Sequence, residues 1–268
     1  MKRLRWRASV CVAVLLLATQ SGCQVVLAAD AAALQRVSQR VLAAAAPWCG
    51  RWAELDAQGM RRCVLPVRTV AAGDQGYAVS MLDSTLISEA AVRKLDEAQL
   101  AHVIGHEVSH FVLGHGRVRL QQQSPQLANH PLTDLMLAPA HAQTPASLPA
   151  QELDADALGS FLAALAGYPL RAGVQLWPAQ LAAAMGVSPE ASATHPSGAQ
   201  RGASLTAQVQ AWCKVLRDPR DAVPLPERLL PERLLPEADH RREDIVLMMQ
   251  KLDADIACAG MAPTRAAT

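Results

Sequence analysis

The sequence predicts a mainly α-helical (α+β) domain with one small β element, on three observations. Of 268 residues, 51% are hydrophobic but only 3% aromatic, with two Phe, two Tyr and five Trp. Leu, Val and Ala must therefore fill the core, which favours helices over a sandwich of sheets. Apolar residues recur at helical spacing along several segments, whereas β-branched residues are dense only in Arg62 to Val70 and Tyr77 to Leu82. The length suits one substantial core, and the apolar fraction excludes a disordered chain. The 25 Lys and Arg against 24 Asp and Glu leave no basic surplus for nucleic acid.

The N-terminus reads as an export signal. Lys2, Arg3, Arg5 and Arg7 precede a short apolar run, Ala8 to Thr19. Ser21-Gly22-Cys23 resembles a lipobox, so residues 1–22 are expected to be a lipoprotein-type signal peptide, with Cys23 the lipidated first residue. Ordinary cleavage near Ala28-Ala29 is the alternative. Either route implies an exported, periplasmic protein, and only lipoprotein-type cleavage gives it a lipid anchor in a membrane. Removing residues 1–22 takes four basic residues away and leaves a net charge of −3. Cys49, Cys63, Cys213 and Cys258 remain, an even number that suggests two disulfides in an oxidising compartment. Proximity pairs Cys49 with Cys63 and Cys213 with Cys258, one of three possible pairings. No CxxC-like spacing supports zinc at these cysteines.

Residues 23–268 read as a single domain. Asp30 to Ala46 is helical and ends at Pro47; the two β-branched stretches follow as strands. Ser88 to Lys94 is a short helix. Asp96 caps a longer one running to about Leu113, closed by Gly114 and Gly116. Residues 121–150, Pro-punctuated and without steady periodicity, are expected to be an irregular insert that gates a cleft. Helices are expected at Gln151 to Ala166, Gly173 to Met185, Ala199 to Leu216 and Glu243 to Cys258. Pro226-Glu227-Arg228-Leu229-Leu230 is repeated at once as Pro231 to Leu235, within a Pro-rich segment, 222–240, that reads as a linker.

One motif carries chemistry: His106-Glu107-Val108-Ser109-His110. Residues i and i+4 share a helix face, so both imidazoles can reach one cation, and Glu107 lies about 100° round, placed as a base acting on water at the metal. This composition produces such a pattern by accident in roughly one chain of a hundred. Leu100, Val103, Ile104, Val108 and Phe111 supply the helix with a buried face. Catalytic zinc takes three protein ligands and an open position. In Gln151-Glu152-Leu153-Asp154-Ala155-Asp156, Glu152 and Asp156 share a face while Asp154 points away. Glu152 is the candidate third ligand. Asp156 would accept the second N–H of a ligating imidazole, His106 being the expected donor.

This HExxH motif, followed by Glu152-x-Asp154-Ala155-Asp156-x-x-Gly159, Ala166-Gly167-Tyr168 and Thr194-His195-Pro196-Ser197 with Arg201, resembles the zinc metallopeptidases typified by HtpX, BepA, Oma and the CAAX-prenyl endopeptidases. The resemblance spans about Leu95 to Val209 and implies a zincin-like fold with one zinc ion. It also implies that His195 sits over the metal, as an oxyanion partner or a resting ligand, and that Arg201 supports that side of the cleft. The chain looks like a compact exported version, without multiple membrane spans or a trailing repeat array. The family's Asn-Ala motif has no clear counterpart near Gly76-Tyr77-Ala78-Val79-Ser80, which leaves the substrate-binding edge open. His102 is expected to be partly exposed beside the cleft, His115 to be a cation capping a helix end, and His130 and His141 to belong to the insert.

The expected function is a zinc-dependent endopeptidase acting on polypeptides of the cell envelope, misfolded or misassembled ones included. Two alternatives stand beside it: a zinc-containing envelope lipoprotein acting mainly as chaperone or adaptor, with hydrolysis latched or incidental, and a metal hydrolase of cell-wall amide bonds.

Overall fold

The computed structural model describes residues 31–55, 57, 59, 61–71, 78–81, 84–137, 144–176, 191–218, 226–236 and 239–261. The signal-like segment with Cys23 lies outside them, as do His141 and most of the helix expected at Gly173 to Met185; of that range only Gly173 to Leu176 are described, the first two closing a short helix that begins earlier, at Arg171.

The first helix, α1 (31–44), is followed by a separate turn, α2 (Ala46–Cys49), because Pro47 is tolerated only in a first turn. The first β-branched stretch divides in two. β1 (Ala53–Leu55) pairs antiparallel with β2 (Arg61–Cys63), and after Pro66 the chain enters β3 (Val67–Val70). β4 (Ala78–Ser80) lies within the second stretch, and β5 (Thr85–Ser88), not foreseen in the sequence, joins them. The sheet runs β3-β5-β4, parallel between β3 and β5 and antiparallel between β5 and β4, so β4 is an edge strand.

Ser88 ends β5 and caps α3 (Glu89–Lys94), its hydroxyl accepting from the Ala91 N–H. Asp96 and Gln99 form a capping box at the start of α4 (Glu97–Val112), which packs against β4 and β5. Gly114, at φ +69°, ends α4 as expected. Gly116 does not, because the chain turns at once into α5 (His115–Gln123). The insert is correspondingly less irregular than its sequence suggests, with α6 (Pro125–Ala128) and α7 (Pro131–Met136) each opened by a proline in the first turn.

α8 (Leu148–Leu165) crosses α4 at the centre of the molecule. The crossing is backbone on backbone. A Cβ on Gly105 would lie 2.4 Å from the Gly159 carbonyl oxygen, and one on Gly159 would lie 2.4 Å from the His106 nitrogen. Only a glycine at both positions permits this approach. After Arg171–Val174 (α9) comes α10 (Gly198–Leu216), begun by a second capping box from Ser197 and Gln200.

Trp48, Phe161 and Trp212 meet edge to face, with centroids 6.2 and 5.8 Å apart, and join α2, α8 and α10. Both indoles also hold the duplicated segment. Trp212 donates to the Leu229 carbonyl and Trp48 to that of Leu234, which are equivalent positions of the two copies. Leu229, Leu230, Leu234 and Leu235 are all buried in the core, so the described part of the expected linker is packed structure. The expected last helix divides into α11 (Asp239–Met249) and α12 (Ala254–Ala257), the second capped by Asp253. The structure pairs Cys49 with Cys63 and Cys213 with Cys258, each with Cα atoms 5.7 Å apart. Among the described residues no helix is long and apolar enough to cross a membrane.

Candidate metal centre

The α4–α8 crossing brings the expected ligands together. His106 Nε2 and His110 Nε2 are 3.1 Å apart; Glu152 Oε2 lies 3.3 Å from the first and Oε1 3.3 Å from the second. These three side chains offer donor atoms within 4.8 Å of one another. Zinc bonds of about 2.0–2.1 Å in a tetrahedron put ligand atoms about 3.3–3.4 Å apart, so the donor set fits the ion in type and spacing.

The surrounding hydrogen bonds make the same point. Asp156 Oδ1 lies 3.0 Å from His106 Nδ1 and can only accept, so Nδ1 carries the hydrogen and the lone pair of a neutral His106 sits on Nε2. That lone pair faces a carboxylate oxygen at 3.3 Å, and either a proton or a metal ion between them satisfies both groups. Burial and the Arg201 guanidinium oppose charge on His106, yet hydrogen bonds to Asp156 and Glu152 prevail and raise its pKa to about 9. Burial pushes the Glu152 carboxyl up, but the two imidazoles outweigh it and hold the group well below the usual carboxylate range.

Arg201 is more deeply engaged than a supporting charge at the cleft side. It is 4% exposed and grips Asp156 bidentately, Nη2 to Oδ1 at 2.6 Å and Nε to Oδ2 at 2.7 Å, with Nη1 3.6 Å from Glu152 Oε2. Asp156 therefore orients His106 while Arg201 orients Asp156. Burial alone would raise the Asp156 carboxyl; Arg201 and His106 hold it low. Asp154 points away, as its spacing predicts, and makes a bidentate pair with Arg233 at 2.8 and 3.0 Å, which ties the second repeat copy to the ligand helix.

Glu107, beside His106, is buried, and among the described residues its carboxylate has no hydrogen-bond or ion-pair partner. His195 approaches from the turn before α10. Its backbone N–H donates to Ser192 Oγ at 2.9 Å, its Nδ1 is 2.8 Å from Thr194 Oγ1, and its Nε2 is 3.6 Å from Glu152 Oε1. Its side chain is 54% exposed and stands outside the three-donor group.

Two other histidines differ from expectation, and His130 lies in the insert as expected. His102 is fully buried: its Nε2 donates to the Pro169 carbonyl at 3.1 Å, so its Nδ1 accepts from the Ser160 hydroxyl at 3.1 Å. Burial lowers its pKa to about 4. His115 is no capping cation. It opens α5, is wholly buried, and its Nδ1 sits 2.8 Å from His110 Nδ1; burial, then the charges of His110 and Arg119, hold it neutral. With His110 Nε2 turned to the metal position, His110 Nδ1 carries the hydrogen and donates to His115. A spacing of five residues puts no two side chains on one helix face, so the sequence held no signal for this pair; the Gly114 turn creates it. His130 caps α7, accepting from the Leu132 N–H.

No curated protein and no solved structure matches the chain. The model of peptidase family M48 matches residues 75–209, just over half of the chain, which takes in His106, Glu107, His110, Glu152, Asp156, His195 and Arg201. Peptidases of this family are zinc-dependent metalloendopeptidases that act on polypeptides, and this chain, with His106, His110 and Glu152 grouped for the ion, belongs to family M48.

Proposed function

We propose that the chain cleaves extended segments of misfolded or misassembled envelope proteins laid along the edge of β4. The observation that carries the chemistry is Glu107, a largely buried residue whose carboxylate has no partner among the described residues and stands beside a three-donor cluster. The export-like N-terminus and the two disulfides support an envelope setting. β4 is an edge strand packed on the ligand helix, so an added strand would run past the metal position.

His106, His110 and Glu152 would hold zinc, which when bound lowers the pKa of water and polarises the scissile carbonyl. Glu107 accepts the proton as the water oxygen bonds to the carbonyl carbon. It then passes that proton to the peptide nitrogen as the C–N bond breaks, and the second water hydrogen follows from the new carboxyl to the amine, leaving a carboxylate and an ammonium group. His195, on an exposed turn 3.6 Å from Glu152, donates an N–H to the carbonyl oxygen as that atom gains charge. Asp156 and Arg201 keep the His106 ring in place through the cycle.

The test pairs zinc content with cleavage of an unfolded model protein in wild type, Glu107→Gln and His195→Ala. All three should hold zinc. Glu107→Gln should lose at least about 100-fold in rate, and His195→Ala should lose about 100-fold. An unchanged rate in Glu107→Gln overturns the assignment, and a higher rate in His195→Ala makes that residue a resting latch.

A further inference from the structure

A cavity of about 260 Å3 adjoins the metal centre on its His110 side, between the end of β4 and α5. Met81, Phe111, Leu120 and Leu137 give it an apolar wall, and two arginines line it with no acidic side chain among its described residues. Arg117 is committed elsewhere, its Nη1 and Nη2 donating to the carbonyls of Ala128 and Thr133 at 3.0 and 3.3 Å. Arg119 is not. Its one described polar contact is Nη2 to His110 Nδ1 at 3.5 Å, and its buried Nε has no acceptor. Since His110 Nδ1 donates to His115, it offers Arg119 no lone pair.

We propose that this cavity is a specificity subsite for a side chain next to the scissile bond, and that Arg119 makes it select an acidic one. The apolar wall suits the stem of Glu or Asp, and the guanidinium, short of acceptors, suits the carboxylate. β4 contributes the edge for the substrate backbone, and its last residue Ser80 with the following Met81 forms one rim of the cavity, so a strand on that edge points alternate side chains at it. This rests on the peptidase reading above, and the experiment separates the two.

Peptides differing only by Glu or Gln at each position flanking the cleaved bond are compared on the zinc-loaded full chain. Glu at one flanking position should raise kcat/KM about tenfold over Gln, the scale of a charge-assisted hydrogen bond. Arg119→Gln should erase that preference and Arg119→Glu turn it toward Lys, with zinc content unchanged. The same peptide pair titrated into Glu107→Gln should differ about tenfold in Kd. Equal affinities there, or a preference that survives in Arg119→Gln, overturns the subsite. So does a requirement for a free C-terminal carboxylate in place of the internal Glu. Tenfold discrimination in binding with no cleavage by the wild type upholds the subsite and sinks the peptidase reading.

Discussion

Gly159→Ala tests the claim that the metal centre is built by the helix crossing. The new Cβ would lie 2.4 Å from the His106 nitrogen and 2.7 Å from both His106 Cα and the Gly105 carbonyl carbon, backbone atoms that cannot swing aside. Ordinary contact begins at 3.4 Å, so α8 must move from α4 by about 1 Å. Overpacking of this kind costs about 1–3 kcal/mol, which for a chain of this size lowers Tm by about 2–12 °C. The effect on zinc is larger in proportion. Glu152 rides on α8 and both histidines on α4, and a zinc site tolerates only about 0.2 Å in its ligand distances. Zinc affinity should fall at least about 100-fold. The assay is a chelator competition for Kd, with thermal unfolding of the metal-free protein alongside. Gly116→Ala is the control, because among the described residues its Cβ would meet only Leu137 Cδ2 at 3.6 Å and both readouts should hold. Wild-type zinc affinity in Gly159→Ala would refute the reasoning, whatever happened to Tm.

Asp156→Asn should weaken zinc binding about 10–100-fold by loosening the His106 ring. It should also destabilise the metal-free fold by up to about 3 kcal/mol, as buried Arg201 loses the carboxylate it grips bidentately and keeps the more distant Glu152. Urea unfolding and zinc titration read the two effects, and no change in either would remove Asp156 from its orienting role. The third prediction concerns acid. Burial lowers His102 from 6.5 to about 4, so the unfolded chain takes up this proton near pH 6.5 and the folded chain only near pH 4. The stabilisation is whole above pH 6.5 and is lost as pH falls toward 4, up to about 3 kcal/mol. His102→Gln should be less stable than wild type at pH 7.5 yet lose less between pH 6.5 and 4 in urea melts. Parallel pH profiles would show that His102 does not titrate in this window.

Local rules reached several elements directly. Asp96 announces the start of α4, and Pro47 marks where α1 gives way to α2. The i, i+4 spacings set His106 beside His110 and Glu152 beside Asp156 before any coordinates are known. They also turn Asp154 away, toward what proved to be Arg233. β5 escaped notice because Thr85-Leu86-Ile87-Ser88 runs straight into a helix and alternates weakly, so only pairing on both sides makes it a strand. The insert escaped because four- to six-residue helices carry no periodic signal.

Spacing along the chain therefore determined the chemistry: two imidazoles and a neighbouring carboxylate on one helix, two more carboxylates on another. Tertiary structure decided what those groups meet. The Gly105–Gly159 contact sets the distance between the two helices, which no reading of either helix alone contains. The left-handed Gly114 brings His115 against His110, and the fold buries Arg201 against Asp156, where the family resemblance gave it only a supporting place beside the cleft. The duplicated Pro-Glu-Arg-Leu-Leu looked like a spacer because a five-residue unit has no face of its own to bury. Trp212 and Trp48 gave its two copies a carbonyl partner each and a place in the core. Local conformational preference acts over a few residues and is written in the chain; the meeting of distant backbones is a packing outcome, and it is packing that completes this site.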